Sequence, residues 1–254
     1  MKTITVLLSL FLAAVLLSGC GLLPEMVQQV QNAEVVTPSD TIITETRDVS
    51  DFDKIDMTTF GKVILTQGDA ESLTITGSDN IVPLIQTKVN NGTLTIQTAK
   101  NVNVLNMDKE NVLTFEITVV DLSGLTVSGV GNIQMDALST TDLSLDLSGA
   151  GNVTLDQLAA DLLEATVSGV GNLEIAGKAN ECQVEIPGAG SVKAGDLECT
   201  NATVNISGVG SATVWVTGQL SGSISGAGSV SYYGNPQTDT ESAGVGGYKD
   251  LGWK

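Results

Sequence analysis

Ser128-Gly-Val-Gly-Asn132 is the stretch on which the fold turns, because it returns five more times. The copies are Ser148-Gly-Ala-Gly-Asn152, Ser168-Gly-Val-Gly-Asn172, Pro187-Gly-Ala-Gly-Ser191, Ser207-Gly-Val-Gly-Ser211 and Ser225-Gly-Ala-Gly-Ser229. Their starts are 20, 20, 19, 20 and 18 residues apart. A period of that length marks one supersecondary unit stacked on itself, a solenoid that counts as one domain whatever its length.

Aligned on the pentapeptide, the copies show what each coil is made of. One residue ahead stand Val127, Leu147, Val167, Ile186, Ile206 and Ile224, all apolar; two ahead stand Thr126, Asp146, Thr166, Glu185, Asn205 and Ser223, all polar. Alternation with period two is that of a strand with one buried face. The apolar positions resume after the pentapeptide at Ile133, Val153, Leu173, Val192, Ala212 and Val230, and again at Met135, Leu155, Ile175, Ala194, Val214 and Tyr232. Each coil therefore reads as three short strands separated by bends, with glycine where neighbouring backbones come close. The residues between the two glycines, Val130, Ala150, Val170, Ala189, Val209 and Ala227, are all small and read as a cramped interior column. Stacked Asn132, Asn152, Asn172, Ser191, Ser211 and Ser229 read as a ladder tying the bends together by hydrogen bonds.

Composition agrees with a narrow β-solenoid: aromatic residues are 4% of the 254, and Gly reaches 28. The net charge of −18 repels phosphate backbones, so nucleic acid is not an expected partner. Arg47 is the single arginine and precedes the repeats, which leaves the coils without the usual bidentate grip on carboxylate or phosphate.

The flanks carry their own signals. Lys2, the apolar run Ile4–Leu17 and the ending Leu17-Ser18-Gly19-Cys20 predict a secretory signal over residues 1–19, too short for a spanning helix. The ending resembles the lipobox of bacterial lipoproteins, which implies acylation of Cys20 and anchoring to the membrane through lipid. Residues 20–45 read as the lipidated cysteine and a flexible tether. Residues 46–254 read as one β-helix domain: irregular N-terminal coils over 46–120, regular repeats over 121–236 and a C-terminal cap over 237–254. Gly244-Val-Gly-Gly247 is a degenerate seventh copy inside that cap.

The six pentapeptides, together with Phe52-Asp-Lys-Ile55, Val63-Ile-Leu-Thr-Gln-Gly-Asp69 and Tyr232-Tyr-Gly-Asn-Pro236, resemble the head-GIN-domain family of putative adhesins. The resemblance runs from about Arg47 to the C-terminus. It implies an all-β fold, a right-handed parallel β-helix with coils of about 20 residues, carried by lipoproteins of the bacterial cell envelope. With 254 residues, a strand-rich translocation barrel after the repeats is not expected.

Chemistry is sparse. Gly129-Val-Gly131 lacks the third glycine and the following helix of a phosphate loop, and the calcium β-roll needs Asp after Gly-x-Gly with a nine-residue period, so neither metal nor cofactor is expected. Histidine is absent, which removes the commonest general base. Asp136 and Asp156 occupy equivalent places on consecutive coils and form the best acidic pair, read as solvated corner carboxylates. Their outward column continues Ala176, Gly195, Trp215, Tyr233 and so ends in adjacent aromatics. Trp215, Tyr233, Asp136 and Asp156 are the candidate contacts for a surface glycan or protein. Tyr248 and Trp253 look like pieces of a cap, which favours a covered Trp215. Cys182 and Cys199 lie five and eight residues ahead of their pentapeptides, so stacking does not imply a disulfide, although an envelope setting permits one. The expectation is a non-enzymatic, lipid-anchored envelope protein that acts as an adhesin or envelope-interaction module. A carbohydrate-binding or carbohydrate-active β-helix and a purely structural assembly protein are the alternatives.

Overall fold

The computed structural model describes residues 34–105 and 113–254. Cys20 and the predicted signal lie outside the described residues. The strands are β1 (Glu34–Val36), β2 (Ile42–Arg47), β3 (Lys54–Met57), β4 (Phe60–Gln67), β5 (Ser72–Ser78), β6 (Ile85–Asn90), β7 (Thr93–Thr98), β8 (Val102–Val104) and β9 (Thr114–Val119). Beyond these lie β10 (Gly124–Val127), β11 (Val130–Ser139), β12 (Asp142–Leu147), β13 (Ala150–Val167), β14 (Val170–Ile186), β15 (Ala189–Ile206), β16 (Val209–Ile224), β17 (Ala227–Tyr233), β18 (Gln237–Ser242) and β19 (Val245–Asp250). One 3-10 turn, Val82–Leu84, is the only helical element among the described residues.

Strands β1 and β8 form a small parallel sheet, with Glu34 opposite Val102, in a compact unit of their own. The remaining strands build a stack of parallel coils. A coil has a first side ahead of the pentapeptide, a second side after it, and a short third side. The first sides pair as β3, β10, β12 and then the C-terminal halves of β13 to β16, ending on β18. The second sides pair as β4, β11 and the N-terminal halves of β13 to β16, ending on β17 and β19. The pentapeptides stack in strict register: Gly131 on Gly151, then Gly171, Gly190, Gly210 and Gly228.

Both ends of the repeat extend further than six copies. Val245 stands on Ala227 and Gly246 on Gly228, so the degenerate seventh copy is a true coil. At the other end Phe60 and Gly61 stand under Val130 and Gly131, which makes residues 54–67 a regular coil inside the segment expected to be irregular. Beneath that coil, β7 runs parallel to β3 and β9 parallel to β4. Antiparallel pairings of β6 with β7, β5 with β9 and β2 with β5 then close the end. The stretch expected as a tether therefore gives way to strand before residue 45. Ile42–Arg47 alternates outward and inward and pairs along Ser72–Ser78, with Thr44 and Thr76 hydroxyls 3.0 Å apart.

The core lies where the period-two pattern puts it. Val127, Leu147, Val167, Ile186, Ile206 and Ile224 are all at most 1% exposed. At the last coil the pattern turns polar, with Thr238 on Leu220 and Ser242 on Ile224, as a terminal repeat must to remain soluble.

One expected interior column is instead outside. Val130, Val170 and Val209 are 61%, 63% and 63% exposed. The reason is parity: with Val127 and Ile133 inward, Gly129 and Gly131 take the inward places between them and the valine must face out. These glycines leave no space for a side chain. A Cβ on Gly149 would stand 2.0 Å from the Gly129 carbonyl oxygen, and one on Gly131 equally close to that of Gly61.

Cys182 and Cys199 form a disulfide with Cα atoms 6.1 Å apart. It does not join stacked positions, since Cys182 faces Ala202 and Cys199 faces Ala179. It crosses a corner, tying the first side of one coil to the third side of the same coil 17 residues later.

Candidate functional site

Outward residues of the second side form columns parallel to the stack. The column nearest the bend is the amide ladder. Asn152 Nδ2 donates to Asn132 Oδ1 at 2.9 Å, Asn172 Nδ2 to Asn152 Oδ1 at 2.8 Å, and the Ser191 hydroxyl to Asn172 Oδ1. Asn152, Asn172 and Ser191 each donate to the coil before, so the column ties the bends together from Asn132 to Ser191. The next column reads Gln134, Thr154, Glu174, Lys193 and Thr213. Lys193 and Glu174 approach to 3.5 Å, both 61% exposed, a pairing that contributes little to stability.

A shallow furrow of 480 Å³ runs between these columns from Lys62 to Lys193. A second hollow of 440 Å³ shares Asp156, Glu174 and Lys193 with it and continues to Gly195, Asp196 and Thr213. The two form one continuous depression across the stack.

The predicted acidic pair is adjacent in register, since Met135 faces Leu155 and Ala137 faces Gln157. The two carboxylates open on different hollows, however. Asp156 lines the furrow, whereas Asp136 lines a separate 600 Å³ hollow with Gln67, Asp69 and Val120. No cluster of three or more metal-ligating residues occurs among the described residues.

The aromatic pair is real, and its setting differs from the one expected. Trp215 and Tyr233 are neighbours in register. Below them Trp215 faces Glu198 and not Gly195, because the coil between the fifth and sixth pentapeptides is two residues short and the register slips between Ala194 and Glu198. A separate slip, between Glu174 and Ala176 one coil earlier, places Asp196 beside Ala176. The Lys254 ammonium lies 5.4 Å from the Trp215 ring centre and 5.2 Å from that of Tyr233, and it donates to the Gly195 carbonyl and to Asp196. That arrangement is a cation–π lid on a half-buried pair. The cover comes from Lys254, while Trp253 is 81% exposed.

On the first side, Asp56 and Asp146 flank Thr126 in one column, and each has a buried carboxylate oxygen without a hydrogen-bond partner. Burial pushes the Asp56 carboxyl above the usual range. Asp56 escapes any reading that counts regular coils from residue 121. The alternation Lys54-Ile-Asp-Met57 ahead of Thr58-Thr-Phe-Gly61 is the signal that finds it.

The described residues thus form a stacked parallel β-solenoid with a polar ladder and an open furrow on its second sides. Residues 51–236 match the model of the family described as "Putative auto-transporter adhesin, head GIN domain", and the chain belongs to that family. Among solved structures, a putative adhesin from Bacteroides fragilis is 32% identical, with a TM-score of 0.82 over 85% of this chain and 100% of its own. A putative lipid binding protein from Parabacteroides distasonis (20% identity, TM-score 0.70) and a putative adhesin from Parabacteroides merdae (21%, 0.68) share the fold, each over 86% of this chain and 100% of its own. No curated protein matches the chain.

Proposed function

We propose that this is a non-enzymatic envelope protein, lipid-anchored through Cys20, that presents the outward face of its second sides to a ligand outside the cell. Membership of an adhesin family supports the surface role. The Leu17-Ser18-Gly19-Cys20 ending supports the anchor, and the Cys182–Cys199 bridge fits an oxidising compartment. One observation carries the binding reading: a single uninterrupted face holds the furrow and ends in the Trp215–Tyr233 pair. Asp136 and Asp156 supply acceptors beside that path, and the aromatics supply a stacking surface once Lys254 is displaced.

The test is adhesion of cells displaying the full chain to wells coated with mucin glycoprotein or with matrix proteins. Replacing both Trp215 and Tyr233 by Ala should lower adhesion at least fivefold while thermal unfolding still shows a folded domain. Undiminished adhesion of a folded double variant would remove the aromatic pair from the binding site.

A further inference from the structure

The continuous furrow has a chemistry that narrows its ligand, and the inference rests on the binding reading above. The charged side chains that line it are Lys62, Lys193, Asp156, Glu174 and Asp196, and Asp196 is paired with Lys254, so three cations stand against three carboxylates. On a molecule of net charge −18 this is a charge-balanced strip. An anionic polymer would be repelled by the rest of the surface, and a cationic one would find stronger partners elsewhere.

The hydrogen-bonding capacity of the strip is unevenly spent. The ladder amides at its edge are engaged with one another. Gln134, Thr154 and Asp156 in its middle have no side-chain hydrogen bond to protein among the described residues. Open amide, hydroxyl and carboxylate groups are what a chain of alcohol groups pairs with. Gln134 and Thr154 face each other on consecutive coils, about 4.8 Å apart, close to the length of one pyranose ring in an extended chain, and Asp156 lies two residues beyond Thr154 on the same strand. At the far end of the depression Gly195 stands beside the Tyr233 ring, which would lie 3.4 Å from a Cβ there, and a sugar face can stack on that ring once Lys254 is displaced.

We infer that the furrow binds a linear, uncharged polysaccharide lying along the stack axis, one sugar per coil, with Gln134, Thr154 and Asp156 contacting hydroxyls. Affinity electrophoresis of the folded chain in native gels tests this with three polymers: soluble mixed-linkage β-glucan, glycol chitin and polygalacturonate. The expected result is retardation by at least one neutral polymer and none by polygalacturonate. The two neutral polymers distinguish hydroxyl recognition from acetamido recognition. The double variant Gln134→Ala with Thr154→Ala should weaken retention about tenfold, and Thr154→Trp, which fills the furrow, should abolish it. Absence of retardation by either neutral polymer overturns the inference, as do retardation by polygalacturonate and retention unchanged in the folded furrow variants. Cell adhesion measured in parallel separates the two proposals: adhesion that depends on Trp215 and Tyr233 without any gel retardation leaves the surface-binding reading standing and discards the furrow.

Discussion

Two positions of the repeated pentapeptide differ most in what they tolerate. Gly149 faces inward with the Gly129 carbonyl oxygen where a Cβ would be, whereas Val170 is 63% exposed. Gly149→Ala should cost about 3 kcal/mol and lower Tm by roughly 6–12 °C, while Val170→Ala should stay within about 0.5 kcal/mol. Thermal unfolding of the two variants beside wild type checks the pair, and equal losses would mean that the bend is not packed this way. The same pentapeptide shows how the sequence can mislead. Small size at Val130 and Ala150 reads as lack of room. Counting from Val127 to Ile133 in twos shows that the glycines hold the inward places, and small size there says nothing about the interior.

At the scale of the coil, regular copies are legible and departures from regularity are not. The buried columns and the asparagine ladder follow from alternation alone, because each coil repeats the pattern of its neighbour. Counting from the pentapeptide places Trp215 beside Gly195. The short coil moves it to Glu198, since a two-residue deletion on the third side keeps the bend in register and displaces the residues around the deletion. The disulfide escapes for a related reason. Stacking puts Cys182 against Ala202 and Cys199 against Ala179, whereas the corner staple joins residues 17 apart within one coil on sides that meet at an angle. Closing a loop of that length should stabilise the fold by roughly 3 kcal/mol. Replacing both Cys182 and Cys199 by Ser should lower the urea midpoint accordingly, and reductant should lower that of wild type to the same point without affecting the variant. Both cysteines are at most 2% exposed, so wild type should resist reduction until it unfolds.

For the whole molecule, the family and the stacked architecture are readable from six pentapeptides, while the furrow is not. A furrow is made by side chains from six coils acting together, and no single copy of the repeat contains it. The proposed anchor is also a property of the entire chain. Cells given labelled palmitate should incorporate it into the wild type and leave Cys20→Ser unlabelled, with the variant moving from the membrane to the soluble fraction. Labelling that persists in the variant would place the acyl chain elsewhere. The strongly acidic surface should then hold the domain off an anionic bilayer instead of letting it lie flat.

The order in which the chain visits its first levels sets a condition on biogenesis. Residues 54–67 lie between β7 and β9 on one side and β10 and β11 on the other, so the coil made early is the filling of a sandwich whose outer layers are made later. A chain threaded through a translocon from its N-terminus cannot wind this solenoid one turn at a time from the start. The first stable nucleus must wait until about residue 139 has emerged, after which each further turn has a finished template to settle on. In the proposed export, the chain from Lys54 to Ser139 has to emerge before this coil is covered on both faces, and mutations in the early segment should lower yield more than mutations in the late coils do.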